Sequence, residues 1–171
     1  MITRTVSLPI NKTKGFALLE VLIAIVVIAF GLLGLAGLQG TSMKANHSAY
    51  FRSIATQQAY DMTDRMRANK TGVSAGNYDN ISGIGSNPGC ISTGCTAAQI
   101  TQYDKFRWNT DNASLLPSGQ GIVCKDSTPD GGTPASPGCD GSGDIFVIKI
   151  WWDDEKKPGN PLKLFVTSFQ P

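Results

Sequence analysis

The stretch Lys14-Gly15-Phe16-Ala17-Leu18-Leu19-Glu20 opens an apolar run, FALLEVLIAIVVIAFGLLGLAGL, that extends from Phe16 to Leu38 and holds a single charged residue in 23. As a helix rising about 1.5 Å per residue it would be roughly 34 Å long, enough to cross a bilayer core of about 30 Å. A membrane-spanning helix is predicted near the N-terminus. Arg4, Lys12 and Lys14 precede the run without any acid among them, and the nearest charge after it is Lys44. The positive-inside rule then places the N-terminus in the cytoplasm and the rest of the chain outside.

Two simpler readings compete. A secretory signal peptide has a shorter apolar region, about 7 to 15 residues, and ends at a small-residue cleavage site, which this run lacks. A plain signal anchor accounts for everything except Glu20. A carboxylate inside an apolar run costs on the order of 2.5 to 3.5 kcal/mol at a helix centre and less near an end, so such a residue usually marks function.

A glycine closing a basic leader, then phenylalanine, then a glutamate four residues on in an unbroken apolar run, resembles the type III signal of type IV prepilins. The resemblance implies cleavage between Gly15 and Phe16 by a prepilin peptidase and N-methylation of Phe16. It also implies that Glu20 of one subunit faces the Phe16 amine of a neighbour during filament assembly, each charge offsetting the other's desolvation. The implied fold is α+β and pilin-like: one long N-terminal helix packed on a small antiparallel β-sheet. Residues 1–15 would be the leader, 16–40 the transmembrane and assembly helix, and 41–171 an extracytoplasmic globular domain that includes the second half of the long helix.

Gly31, Gly34, Gly37 and Gly40 recur every third residue in the later part of the run. Each weakens a helix interior by about 1 kcal/mol relative to alanine. They read either as a small-residue face for close helix packing in the membrane or as a stretch that melts when a subunit leaves lipid for a filament.

Beyond Gly40 the pattern is amphipathic and free of proline to about Ala68. Phe51, Ala55, Ala59, Met62 and Met66 make an apolar stripe at helical spacing, while Gln57, Asp61, Asp64, Arg65 and Arg67 are expected to face solvent or neighbouring subunits. The helix should stop near Asn69-Lys70-Thr71-Gly72. Residues 72–96, rich in Gly, Ser and Asn, read as an exposed loop. Thr96 is placed to cap a helix running to about Asn112, closed by the turn Leu115-Leu116-Pro117-Ser118-Gly119.

After that turn the period changes to two. Strands are predicted over Gly121–Cys124, Asp144–Trp152 and Leu162–Phe169. Phe146, Ile148, Ile150 and Trp152 form the expected core face, and Leu162, Leu164 and Val166 share a face of the last strand. Residues 153–160 are a polar hairpin connection. Trp108, then Leu116-Pro117-Ser118-Gly119-Gln120-Gly121 before a strand, then Trp151-Trp152-Asp153-Asp154, resembles the PilV type of minor pilin, the type IV pilus modification proteins. That likeness implies a minor pilin that helps prime pilus assembly and so supports motility, adhesion or DNA uptake. A type II secretion pseudopilin and a pilus-tip adhesin are the alternatives.

Cys90, Cys95, Cys124 and Cys139 lie among Gly, Ser and Pro, which suits disulfides in an oxidising compartment. Four cysteines allow three pairings, with the sequence-adjacent one preferred. A zinc site is the other reading, though neither pair has the two-residue spacing of zinc ribbons. The segment from Asp126 to Asp144 reads as a surface loop. Its Asp140-Gly141-Ser142-Gly143-Asp144 end has alternating oxygen ligands, but Ile145 and Trp151 stand where an EF-hand needs glycine and glutamate.

The remaining chemistry is excluded or weak. The only histidine, His47, has no partners for a triad or a metal site, and no Walker-type glycine loop occurs. Charge gives no sign of a nucleic-acid binder: 15 basic residues stand against 13 acidic, and removing residues 1–15 leaves 12 against 13. No enzymatic activity, cofactor or direct nucleic-acid binding is expected. The expected partners are other minor and major pilins, the prepilin peptidase and the inner-membrane pilus assembly machinery, with the subunit in the bacterial inner membrane before assembly and in the pilus afterwards.

Overall fold

A computed structural model describes residues 15, 17–129, 131–157 and 159–171. Helix α1 runs from Leu18 to Ala68, and a four-stranded antiparallel sheet follows in the order β1-β2-β3-β4. The strands are Asn80–Ile81, Gln120–Lys125, Phe146–Trp152 and Lys163–Phe169. Between them lie α2 (Lys70–Ser74), α3 (Cys90–Thr93) and α4 (Ala97–Leu115). The α+β, pilin-like arrangement expected from the sequence is the one observed. The described residues up to Ala45 form one compact unit, and Asn46–Pro171 form a second.

In the second unit the stripe on α1 meets the expected face of β3. Phe51, Ala55, Ala59, Met62 and Met66 share one buried cluster with Phe146, Ile148, Ile150 and Trp152. The alanines and methionines of α1 are almost fully buried there, the flexible methionines suited to filling irregular space. Trp108 of α4 completes this core, its indole Nε1 donating to the Gln58 carbonyl of α1 at 2.8 Å.

Helix α4 starts with a capping box: Thr96 Oγ1 accepts from Gln99 N, and Gln99 Oε1 accepts from Thr96 N at 2.9 Å. It ends at Leu115, three residues beyond the expected Asn112. Pro117 stops it by forcing Leu116 out of helical geometry, to φ −116° and ψ 133°. Gly121, at the start of β2, permits the close packing of α4 on the sheet: a Cβ there would lie 2.4 Å from Trp108 Cη2.

The structure corrects several local expectations. Residues 72–96 are not simply an exposed loop. They contain β1, paired to β2 through Asn80 opposite Cys124 and Ile81 opposite Val123, and they bury Tyr78 completely. A two-residue strand has no periodicity to read, and Tyr78 is drawn inward by polar partners distant in sequence. The last strand starts at Lys163 rather than Leu162, and its two faces serve different cores. Phe165 and Phe169 pack on the cluster shared with α1, while Leu162 and Leu164 pack against Ile122, Cys124 and Trp151 on the other side of the sheet. Arg65 does not simply face solvent; it reaches Asp104 of α4 at 3.3 Å.

The second core explains an unusual feature of β3, in which all seven residues are buried. An antiparallel sheet of this kind commonly leaves one face wet. Here the outer face, carrying Val147, Lys149 and Trp151, is covered by the connection from β2 to β3. That connection was expected to be a plain surface loop; its first residue, Asp126, is 1% exposed.

Candidate functional site

The first unit carries the residues that the sequence singles out. Helix α1 begins at Leu18, and Glu20 lies in its first turn, its N–H donating to the Ala17 carbonyl at 2.9 Å. A carboxylate there is favoured by the positive end of the helix dipole. Every described residue from Ala17 to His47 is exposed, including Leu18 at 83%, Phe30 at 72% and Leu33 at 70%. This is far more contiguous apolar surface than a soluble protein leaves in water. The helix is long and apolar enough to cross a membrane. Phe16, with Arg4, Lys12 and Lys14, lies outside the described residues, whereas Gly15 is described and exposed.

The helix is continuous through Gly31, Gly34, Gly37 and Gly40. A Cβ built at any of them would meet nothing within 4 Å, so each leaves an open notch on the helix surface. Thr41 follows, its hydroxyl donating back to the Leu38 carbonyl at 2.9 Å. The arrangement offers an apolar helix with small-residue notches and one carboxylate near its start. Such a surface can bury itself in lipid or against other helices.

In the second unit a buried polar network ties α1, α4 and the α2–β1 segment together. Tyr78 donates from Oη to Asp104 Oδ2 at 2.5 Å. Asn69 Nδ2 donates to Tyr78 Oη at 3.1 Å, to Thr101 Oγ1 at 3.2 Å and to the Ala97 carbonyl at 2.8 Å, while its Oδ1 accepts from Gly72 N. Burial pushes the Tyr78 phenol up to about 12, reinforced by the bond to Asp104. Burial acts to lower the Arg65 pKa, but hydrogen bonding and attraction from Asp61 and Asp104 outweigh it and leave the guanidinium above its ordinary value. None of these groups was marked by a sequence motif. They join segments up to 39 residues apart, and no local spacing reveals them.

The cysteines form two disulfides, Cys90–Cys95 with 5.1 Å between Cα atoms and Cys124–Cys139 with 6.1 Å. The first closes the short α3 turn, which presents Ile91 at 86% exposure. The second closes the neck of the β2–β3 connection. Asp140 accepts from Ser127 N, Ser127 Oγ and Ser142 N, and the bond from the Ser127 hydroxyl is the main reason its carboxyl sits below its ordinary value. Its oxygens are engaged by its own loop. Among the described residues no group of three or more His, Cys, Asp or Glu is placed to hold a metal ion. His47 is exposed and packs edge-on against Phe51, with ring centroids 4.3 Å apart.

Under that connection lies the residue that sequence reading missed. Lys149, in the middle of β3, has no exposed side-chain surface. Its Nζ donates to Asp126 Oδ2 at 2.6 Å and to the Pro137 carbonyl at 2.8 Å. A lysine inside an apolar strand was the available signal, since a buried ammonium demands a buried partner.

Two family models match the chain. One, described as a prokaryotic N-terminal methylation motif, matches residues 10–36. The other, described as type IV pilin Tt1218, matches residues 37–106. Residues 107–171 lie outside both spans. No curated protein and no solved structure matches the chain. Together the two matches make residues 10–106 similar to type IV pilins and their N-terminal methylation motif.

Proposed function

We propose that this chain is a minor pilin of the PilV type, a subunit that enters the type IV pilus through α1 and helps prime its assembly. The observation that carries the reading is the exposed apolar helix with one carboxylate, Glu20, in its first turn, following Gly15 at the end of a basic leader. The methylation-motif match over the same residues supports it.

On this reading a prepilin peptidase cuts between Gly15 and Phe16 on the cytoplasmic face and methylates the new amine. A methylated amine keeps its positive charge. While the subunit waits in the inner membrane, residues 16–40 span the bilayer once and residues 41–171 stand outside. In the filament, Glu20 pairs with the Phe16 amine of a neighbouring subunit. Both charges leave water together, which is tolerable only if they meet. An unprocessed subunit has no amine at that position, so the pair makes assembly depend on cleavage. The role is structural, with no enzymatic activity, cofactor or nucleic-acid contact assigned to the chain.

N-terminal mass spectrometry of protein from membranes and sheared filaments of the native host tests this. A mature chain starting at N-methylated Phe16 and present in filaments is the expected result. A chain that is processed but absent from filaments would favour a secretion pseudopilin, and a cut after Leu38 or an intact leader would remove the pilin reading.

A further inference from the structure

The connection from β2 to β3 is held across its neck twice. Cys124 and Cys139 are joined, and two residues further into the loop from each side, Asp126 and Pro137 both bond to the ammonium of Lys149. One staple is covalent and the other is a single buried cation. Further along, Trp151 Nε1 donates to the Gly132 carbonyl at 3.2 Å, and Gly141 N donates to the Lys125 carbonyl at 3.0 Å. Gly132 has φ +93° and lies so close to Pro137 that a Cβ would come within 2.2 Å of its carbonyl oxygen. The segment is therefore a fitted cover over Ile122, Lys149 and Trp151.

The two staples are unequal in what they resist. The covering sequence, DSTPDGGTPASPGC from Asp126 to Cys139, contains no Val, Leu, Ile, Met or aromatic residue, so the cover itself buries little apolar side chain. The ion pair does not make up the difference. A buried pair gives back roughly what its desolvation costs, and lifting the cover would return both charges to water. The disulfide instead restricts the open state, because a closed neck leaves the loop few other conformations.

We propose that the described residues of this connection, 126–129 and 131–139, form a redox-gated lid. With Cys124–Cys139 oxidised, the lid is shut over the outer face of β2 and β3. When a dithiol reductant breaks the bond, the lid lifts and uncovers Lys149, Ile122 and Trp151, while the core shared with α1 stays intact. The step balances as ordinary exchange: the Sγ–Sγ bond breaks, each sulfur ends as a thiol, and the reductant leaves as its own disulfide. The finished outer surface of the domain then exists only where thiols are oxidised. This inference does not depend on the pilin reading.

The test uses the full-length chain in detergent, labelled with an amine-reactive ester and mapped by peptide mass spectrometry, with and without a dithiol. In the oxidised protein Lys149 should react at least about tenfold more slowly than exposed Lys157, since labelling requires a rare local opening. After reduction it should approach the rate of Lys157, with amide exchange in α4 and β3 still slow. The variant with Cys90→Ser and Cys95→Ser, which keeps the lid disulfide, should behave the same way and so separates the two bonds. Continued protection of Lys149 after reduction would overturn the proposal. So would loss of protection throughout α4 and β3 at the same reductant concentration, which would mean global unfolding. Lys149→Met combined with Asp126→Leu provides a second arm: without charges to rehydrate, its reduced lid should exchange more slowly than the reduced wild type, and equal rates would remove the ion pair from the mechanism.

Discussion

Tyr78 donates a hydrogen bond from its phenol to Asp104 Oδ2 at 2.5 Å, joining a glycine-rich segment after α2 to the middle of α4. Both residues are buried, and Arg65 on α1 completes the contact through the other carboxylate oxygen. One carboxylate thus connects three segments. The pairing gives the domain a pH dependence with a definite sign. The phenol is raised to about 12 in the folded state, against about 10 in an unfolded chain. The folded state therefore holds this proton more tightly. The resulting stability is fully present below about pH 10 and is lost as pH rises towards about 12. Phenolate absorbance should show one of the four tyrosines titrating near 12. Resistance to unfolding in urea should fall between about pH 10 and about pH 12 in the wild type and less in Tyr78→Phe.

Lys149→Met alone would leave Asp126 buried without its cation, and a broken buried pair typically costs about 3–5 kcal/mol. Replacing both partners by Met and Leu should cost much less. Denaturant midpoints of the single and double variants measure this directly. Equal losses in the two would mean that packing, not charge, sets the cost.

Gly121→Ala places a methyl group 2.4 Å from the Trp108 ring, with Asn112 Nδ2 2.6 Å away. Neither α4 nor β2 can retreat without disturbing the core, so a loss of about 1–3 kcal/mol is expected. The urea midpoint should fall accordingly, together with a change in tryptophan fluorescence.

Glu20→Ala should leave the globular unit as stable as before, because Glu20 is exposed and belongs to the other compact unit. Incorporation into sheared filaments should nevertheless fall at least about tenfold, as the Phe16 amine of each neighbour would be buried unpaired. Immunodetection of filament and membrane fractions separates these effects, and undiminished incorporation would sink the proposed pairing.

Gly34→Ala and Gly37→Ala bear on the two readings of the notched helix. Each should strengthen α1 by about 1 kcal/mol as a helix. If the notches receive neighbouring helices, incorporation falls although the isolated helix is better formed; if they serve local melting, incorporation falls and the assembled segment exchanges amide hydrogens more slowly. Unchanged incorporation would leave both readings without support.

The long helix, the face it presents and the core face of β3 were legible because each rests on a local period. Phe51, Ala55, Ala59, Met62 and Met66 repeat at helical spacing, and Phe146, Ile148, Ile150 and Trp152 repeat at two. Thr96 marked the start of α4 by the same kind of local chemistry. Asn80–Ile81 was not legible, since a strand of two residues is made by its partner, here Cys124 and Val123. The outward expectation for Arg65 failed for a related reason: a charged side chain turns inward only when a partner such as Asp104 is brought beside it.

Length and apolarity by themselves determined that α1 is a helix long and apolar enough to cross a membrane, and Glu20 stood out in it because a carboxylate in such a run has an energetic cost wherever the rest of the chain lies. Only the tertiary structure decided the fate of the polar residues beyond it. Asp126, Tyr78 and Asp104 carry no mark of burial in the sequence, and Lys149 only that of a charge inside an apolar strand, yet all four are buried. Whether a charge can leave water depends on a partner that folding brings from 23 or 26 residues away, and no local pattern encodes that meeting.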